Sequence, residues 1–133
     1  MPDQSHVGRR YQASGQVVDG GGAEAFARAI AGSDEPYSPG VVPPTYGAVY
    51  CLFPTLYQLF GDTEVGVNLA GLVHGEQSFE WPTPVRAGDV IDATAVIASV
   101  EEKRGMTFLG IEHEARRQDG KTVCRGRSLM IIR

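Results

Sequence analysis

Residues Pro44 to Phe60 read "PTYGAVYCLFPTLYQLF", without a charged side chain. A helix that is apolar almost all round is stable only when other structure wraps it. The stretch Ala48–Phe60 is shorter than the about 20 residues that cross a bilayer, so the wrapping has to be protein. Pro44 or Thr45 suits the helix start. Pro54 should kink the helix or end its first half near Cys51–Phe53, and Gly61 closes it.

The cover follows in the chain. From Val65 onward the apolar period becomes two. Val73, Gln77, Phe79 and Trp81 fall on one strand face, and His74, Glu76, Ser78 and Glu80 on the other. Pro82 and Pro84 end or bulge that strand. "AGD" is a turn in which Asp89 caps the backbone. "VIDATAVIASV" is a long strand, and "EKRG" and "QDGK" are hairpin turns before two more. Ahead of the buried helix, the Gly-rich "DGGGAE" leads into "AEAFARAIAG". Phe26, Ala29 and Ile30 recur there at helical spacing until Gly32 stops the run. The expectation is an α+β domain, an antiparallel sheet wrapped on a central helix. The exposed sheet edge of such a small domain invites dimerisation that extends the sheet.

Composition narrows the function. With 133 residues the chain has the size of one ordinary domain. Net charge is −4 with scattered basic residues, unlike the basic stripe of a nucleic-acid binder. The N-terminus "MPDQSHVGRR" has no secretory signal, which points to the cytoplasm. Cys51 and Cys124 sit in apolar contexts, as buried free thiols do. No spacing suits zinc, and neither a metal nor a redox cofactor is expected. Tyr46, Tyr50 and Tyr57 follow one another on successive turns as core residues whose hydroxyls reach the rim. Trp81 reads as packing. His113, between two glutamates, reads as part of a solvated face, and His6 as part of a mobile terminus. Arg104, Arg116, Arg117, Arg125 and Arg127 belong to wet strand faces or meet the phosphates of a carrier arm.

The pieces "VVPPTY", "VHGEQ" and "PVRAGD", in this order and spacing, resemble the MaoC-like dehydratases. The likeness covers nearly the whole chain, as one domain over 1–133, and is greatest to their N-terminal-type half. That half includes hydroxyacyl dehydratase subunits of bacterial type II fatty-acid synthesis and the dehydratase domain of fungal-type synthases. The resemblance implies a hotdog fold and an acyl thioester substrate carried on coenzyme A or acyl carrier protein. Dehydrating a 3-hydroxyacyl thioester needs a base for the C2 proton, an acid for the departing hydroxyl and donors on the thioester carbonyl. Active relatives carry a loop like G-D-x-N-P-x-H. Laid on it, "GSDEPYS" puts Ser33 where the Asp stands and Ser38 where the His stands, with Asp34 next to the Asp position. The resemblance therefore implies a dyad-free, acyl-binding half that pairs with a catalytic MaoC-like subunit. Pro44, Thr45, Tyr46 and Gly47 at the helix start, with His74, Gly75, Glu76 and Gln77, are the candidate substrate-binding residues. His74 and Asp34 are the remaining candidates for chemistry. Two alternatives stay open: a homodimer using His74 and Asp34, and a non-catalytic acyl-thioester or carrier-protein binding module in polyketide or lipid synthesis.

Overall fold

The computed structural model describes residues 1–31 and 42–133. Ser33, Asp34 and Ser38 lie outside the described residues. The elements run β1 (Arg10–Val17), α1 (Gly20–Ala31), a 3-10 turn (Pro44–Tyr46), a π-helical turn (Ala48–Leu52) and α2 (Phe53–Gly61). Then come β2 (Leu72–Glu80), β3 (Val90–Lys103), β4 (Met106–Arg117) and β5 (Thr122–Ile132). The strands form a five-stranded antiparallel sheet in the order β1-β3-β4-β5-β2. The sheet curls round the helical segment, which is a hotdog fold of the α+β class.

The meander is the one that the alternation predicts. Arg104 and Gly105 at the β3–β4 turn both have positive φ, at 53° and 75°, as a two-residue hairpin of matching twist requires. Asp89 accepts from the Arg86 N–H at 2.9 Å, capping its turn. Strand β1 is an addition to the sequence reading. Of its residues only Tyr11 is buried, so "RYQASGQV" carries almost no apolar alternation to signal a strand. It forms because β3 offers its edge from Val90 to Val96.

The central helix is less regular than its sequence suggests. Pro54 has no N–H to give to the Tyr50 carbonyl one turn back. The backbone widens to π geometry just ahead of it, and α2 restarts with Pro54 in its first turn. The Tyr50 carbonyl instead accepts the side-chain amide of Gln16 from β1, at 3.2 Å. A strand side chain thus supplies a donor that the proline lacks.

Two apolar clusters hold the layers together. Leu52, Leu56 and Leu59 pack on Ile97, Ile111 and Met130 toward one end. Tyr46, Tyr50 and Cys51 pack on Ile91, Val123 and Cys124 toward the other. Each such aliphatic side chain contributes about 1.5–3 kcal/mol on burial. Helix α1 is capped by Asp19, whose carboxylate accepts from the Gly21 and Gly22 N–H groups at 3.2 and 3.1 Å. Its buried stripe, Ala23 and Ala27 with half-buried Phe26, stops short of Ile30, which is 55% exposed. Tyr57 also departs from expectation at 68% exposure. It stacks on Phe53 at 5.9 Å on the outer face of α2, because the core stripe runs through Thr55, Leu56 and Leu59.

Candidate functional site

The inner face of β2 gathers the polar groups of the motif "VHGEQ". The strand bulges at Gly75: His74 opposes Met130 and Glu76 opposes Leu129, so β2 carries one extra residue. A Cβ at residue 75 would come within 2.9 Å of the Ile131 Cδ1. Strict alternation puts His74 opposite in sense to Gln77. The bulge reverses that, and both face the helix, while Glu76 falls on the outer face beside Ser99 and Arg127.

His74 Nε2 lies 3.0 Å from Gln77 Oε1. The Ser128 hydroxyl, from β5, donates to the same Oε1 at 2.5 Å. His113 Nε2, from β4, lies 2.8 Å from Ser128 Oγ. The Gln77 side-chain N–H donates to the Ser78 carbonyl at 2.9 Å, which fixes the amide orientation. Proton positions then follow by elimination. Gln77 Oε1 only accepts, so His74 must donate from Nε2. Ser128 spends its single proton on Gln77, so its oxygen accepts from His113 Nε2–H. In its neutral form each imidazole is therefore the Nε2–H tautomer when the chain of bonds is complete.

His113 is 3% exposed, and its Nδ1 lone pair has no partner. Burial, reinforced by the neighbouring His74 imidazole, pushes its pKa down to about 4. A proton on Nδ1 would enter apolar packing with no acceptor to meet it. The solvated face expected for His113 is corrected here: Ile111, His113 and Ala115 share the buried side of β4, and Glu112 and Glu114 take the other. The signal was in the sequence, in the apolar residues two positions either side rather than the charged neighbours. Ser128 was missed because a lone Ser in "RGRSLMIIR" carries no pattern of its own.

Farther along the same face, Phe79 stacks on Trp81 at 5.5 Å. Trp81 borders a cavity of about 310 Å³ with Val42, Pro44, Tyr50, Val85 and Arg86. Gly47 is buried against this region: a Cβ there would stand 3.1 Å from Trp81 Nε1, 3.3 Å from Cys124 Sγ and 3.6 Å from the Tyr50 hydroxyl. Thr45 is exposed, whereas Tyr46 is buried edge-on to Phe26 at 5.3 Å. So Pro44 reaches the cavity, and His74 and Gln77 stand together at a second point on β2. Cys51 and Cys124 are both fully buried. Hydrogen bonding to Cys124 and burial push the Cys51 thiol well up.

Among the described residues no helix is long and apolar enough to cross a membrane. Of the five arginines singled out in the sequence, two are engaged in ion pairs among the described residues: Arg116 with Glu114 at 2.5 Å, and Arg117 with Asp119 at 2.6 Å.

A family profile for the FAS1-like, dehydratase domain region matches residues 5–125. The chain belongs to this FAS1-like dehydratase-region family. A UPF0336 protein of Streptomyces coelicolor is 28% identical over 142 residues, covering 98% of this chain and 95% of the relative. A UPF0336 protein of Leifsonia xyli is 32% identical over 93 residues, covering 70% of this chain and 62% of that protein. Among solved structures, the HadBC (3R-hydroxyacyl-ACP dehydratase) complex from Mycobacterium tuberculosis matches with a TM-score of 0.74 and 25% identity, over 95% of this chain and 96% of that one. An (R)-hydratase from A. caviae shares the fold, with a TM-score of 0.60 and 21% identity over 96% of this chain and 98% of that one. The FAS1-like dehydratase-region chain is thus a hydratase/dehydratase-type hotdog of the MaoC-like group.

Proposed function

We propose that this chain is the acyl-binding, dyad-free half of a (3R)-hydroxyacyl-thioester dehydratase or enoyl-thioester hydratase, working with a MaoC-like partner that carries the Asp and His. The substrate is an acyl thioester on coenzyme A or acyl carrier protein, and the setting is the cytoplasm. The observation that carries the reading is the disposition of the three histidines. His6 is tied to Asp3 in the N-terminal 3-10 turn, and the Asp3 N–H donates to its Nδ1 at 3.0 Å. His113 is sealed in the core. His74 is held by an amide rather than a carboxylate. The sequence between Gly32 and Val41 contains no histidine. Elimination at neutral pH needs a carboxylate–imidazole pair, and serines at 33 and 38 are no substitute. Support for a partner comes from β2, one of the sheet's two edge strands, where Val73 is 44% exposed, and from Phe53 and Tyr57 stacked in the open on α2.

The test is hydration of crotonyl-CoA, followed by loss of enoyl-thioester absorbance. The expected result is negligible turnover by the purified chain and strong turnover when a dyad-bearing MaoC-like subunit is added. Rapid hydration by the chain alone overturns the proposal.

A further inference from the structure

We propose that His113, Ser128 and Gln77 form a positioning relay that presents the Nδ1 lone pair of His74 to an amide N–H of the thioester's carrier arm. The inference rests on the proposed acyl-thioester substrate and adds a recognition point to it. The relay is a built device. Its three bonds run across β4, β5 and β2, and each proton position is fixed by the next acceptor. Gly126 of β5, opposite His113 on β4 and Phe79 on β2, leaves the room it needs: a Cβ there would stand 3.1 Å from Gln77 Nε2 and 3.2 Å from Phe79 Cδ1. Holding an exposed imidazole this way costs side-chain entropy and leaves a buried acceptor on His113 unpaired. A surface histidine with no task needs neither.

Chemistry then selects the ligand. With Nε2–H committed to Gln77, neutral His74 offers only an acceptor outward. A lone pair repels a carbonyl oxygen or a developing oxyanion, so His74 is not part of an oxyanion hole. It calls for an N–H or O–H donor. A pantetheine arm, common to coenzyme A and acyl carrier protein, carries amide N–H groups behind the thioester. His74 and the apolar cavity by Trp81 lie along the same face of β2, so one ligand can place its amide at the first and its acyl chain toward the second. His74 is the arm-binding residue; Gln77, Ser128 and His113 act through it.

The test compares two probes on the complex with a dyad-bearing partner: crotonyl-CoA, and S-butyl thiocrotonate, which has no amide. Gln77→Leu is expected to raise KM for crotonyl-CoA roughly 3- to 10-fold, the size of one neutral hydrogen bond, with kcat within about twofold. KM for S-butyl thiocrotonate should stay unchanged. Ser128→Ala should show a smaller rise with the same probe dependence. An equal loss on both probes, a fall in kcat in place of a rise in KM, or no change with crotonyl-CoA overturns the inference while leaving the proposed function standing. A wild-type complex inactive on both probes overturns the proposed function, and this inference with it.

Discussion

Replacing His113 with leucine should remove a defined part of the acid sensitivity of folding. In the folded chain the imidazole stays neutral down to about pH 4, against an ordinary value of 6.5, because burial and the nearby His74 oppose the charge. Unfolding exposes the ring and restores the ordinary value. Between these two pH values the unfolded chain therefore binds the extra proton. The sign follows directly: stability is complete above about pH 6.5, declines as pH falls toward 4, and loses nothing more from this group below that. At about 1.4 kcal/mol per pH unit the whole drop is worth about 3 kcal/mol, of which about 2 kcal/mol is gone by pH 5. That is a large share of the about 5–15 kcal/mol that holds an ordinary domain folded. Urea unfolding at pH 7, 6 and 5 reads it as a fall of about 1 M in the midpoint between pH 7 and 5. His113→Leu should flatten that fall, leaving the remainder to other groups. The window matters, since the carboxylates held low by partners, Asp3, Asp62 and Asp119, lose their contribution only as pH drops below about 4. If leucine unfolds the chain, His113→Gln keeps an N–H for Ser128 and does not titrate. Parallel pH profiles for wild type and the non-titrating variant would refute the reasoning.

Two further outcomes follow from the packing. Leu59→Ala, at 1% exposure in the cluster under α2, should cost about 2–5 kcal/mol in urea unfolding at pH 7, with the slope unchanged. Val73→Lys on the outer edge of β2 should leave the melting temperature within a few degrees yet weaken assembly with the proposed dyad-bearing partner at least 10-fold by sedimentation, because a charge would have to be buried against the new strand.

The sequence made the hotdog legible because its signals are redundant. The uncharged helix demanded a cover, and the β3–β5 meander supplied it with alternation and short hairpin turns at the right places. Where only one signal existed, the reading faltered. Strand β1 buries a single side chain and is recruited by the edge of β3, so its fold information lies in another segment. Ile30 and Tyr57 satisfied helical spacing but sit where, among the described residues, no second layer arrives. The faces of β2 were inverted at His74 by one unpaired residue, and a bulge has no local requirement beyond a residue that fits, here Gly75.

That inversion is also why the candidate site could be named but not assembled from sequence. "VHGEQ" marked His74, Gly75, Glu76 and Gln77 together, whereas the folded chain divides them: His74 and Gln77 inward, Glu76 outward, and Gly75 as the pivot. The partners that give His74 its orientation come from positions 113 and 128, on two other strands. Period-two reasoning applied to each strand separately finds His113 on the buried side. Only the register of three neighbouring strands shows that it, Ser128 and Gln77 meet. A glycine whose one structural effect is to slip the register by a residue thus decides whether the motif's histidine faces the helix or the outer side of the sheet. In this chain the geometry of the motif rests as much on the unpaired position as on the side chains beside it.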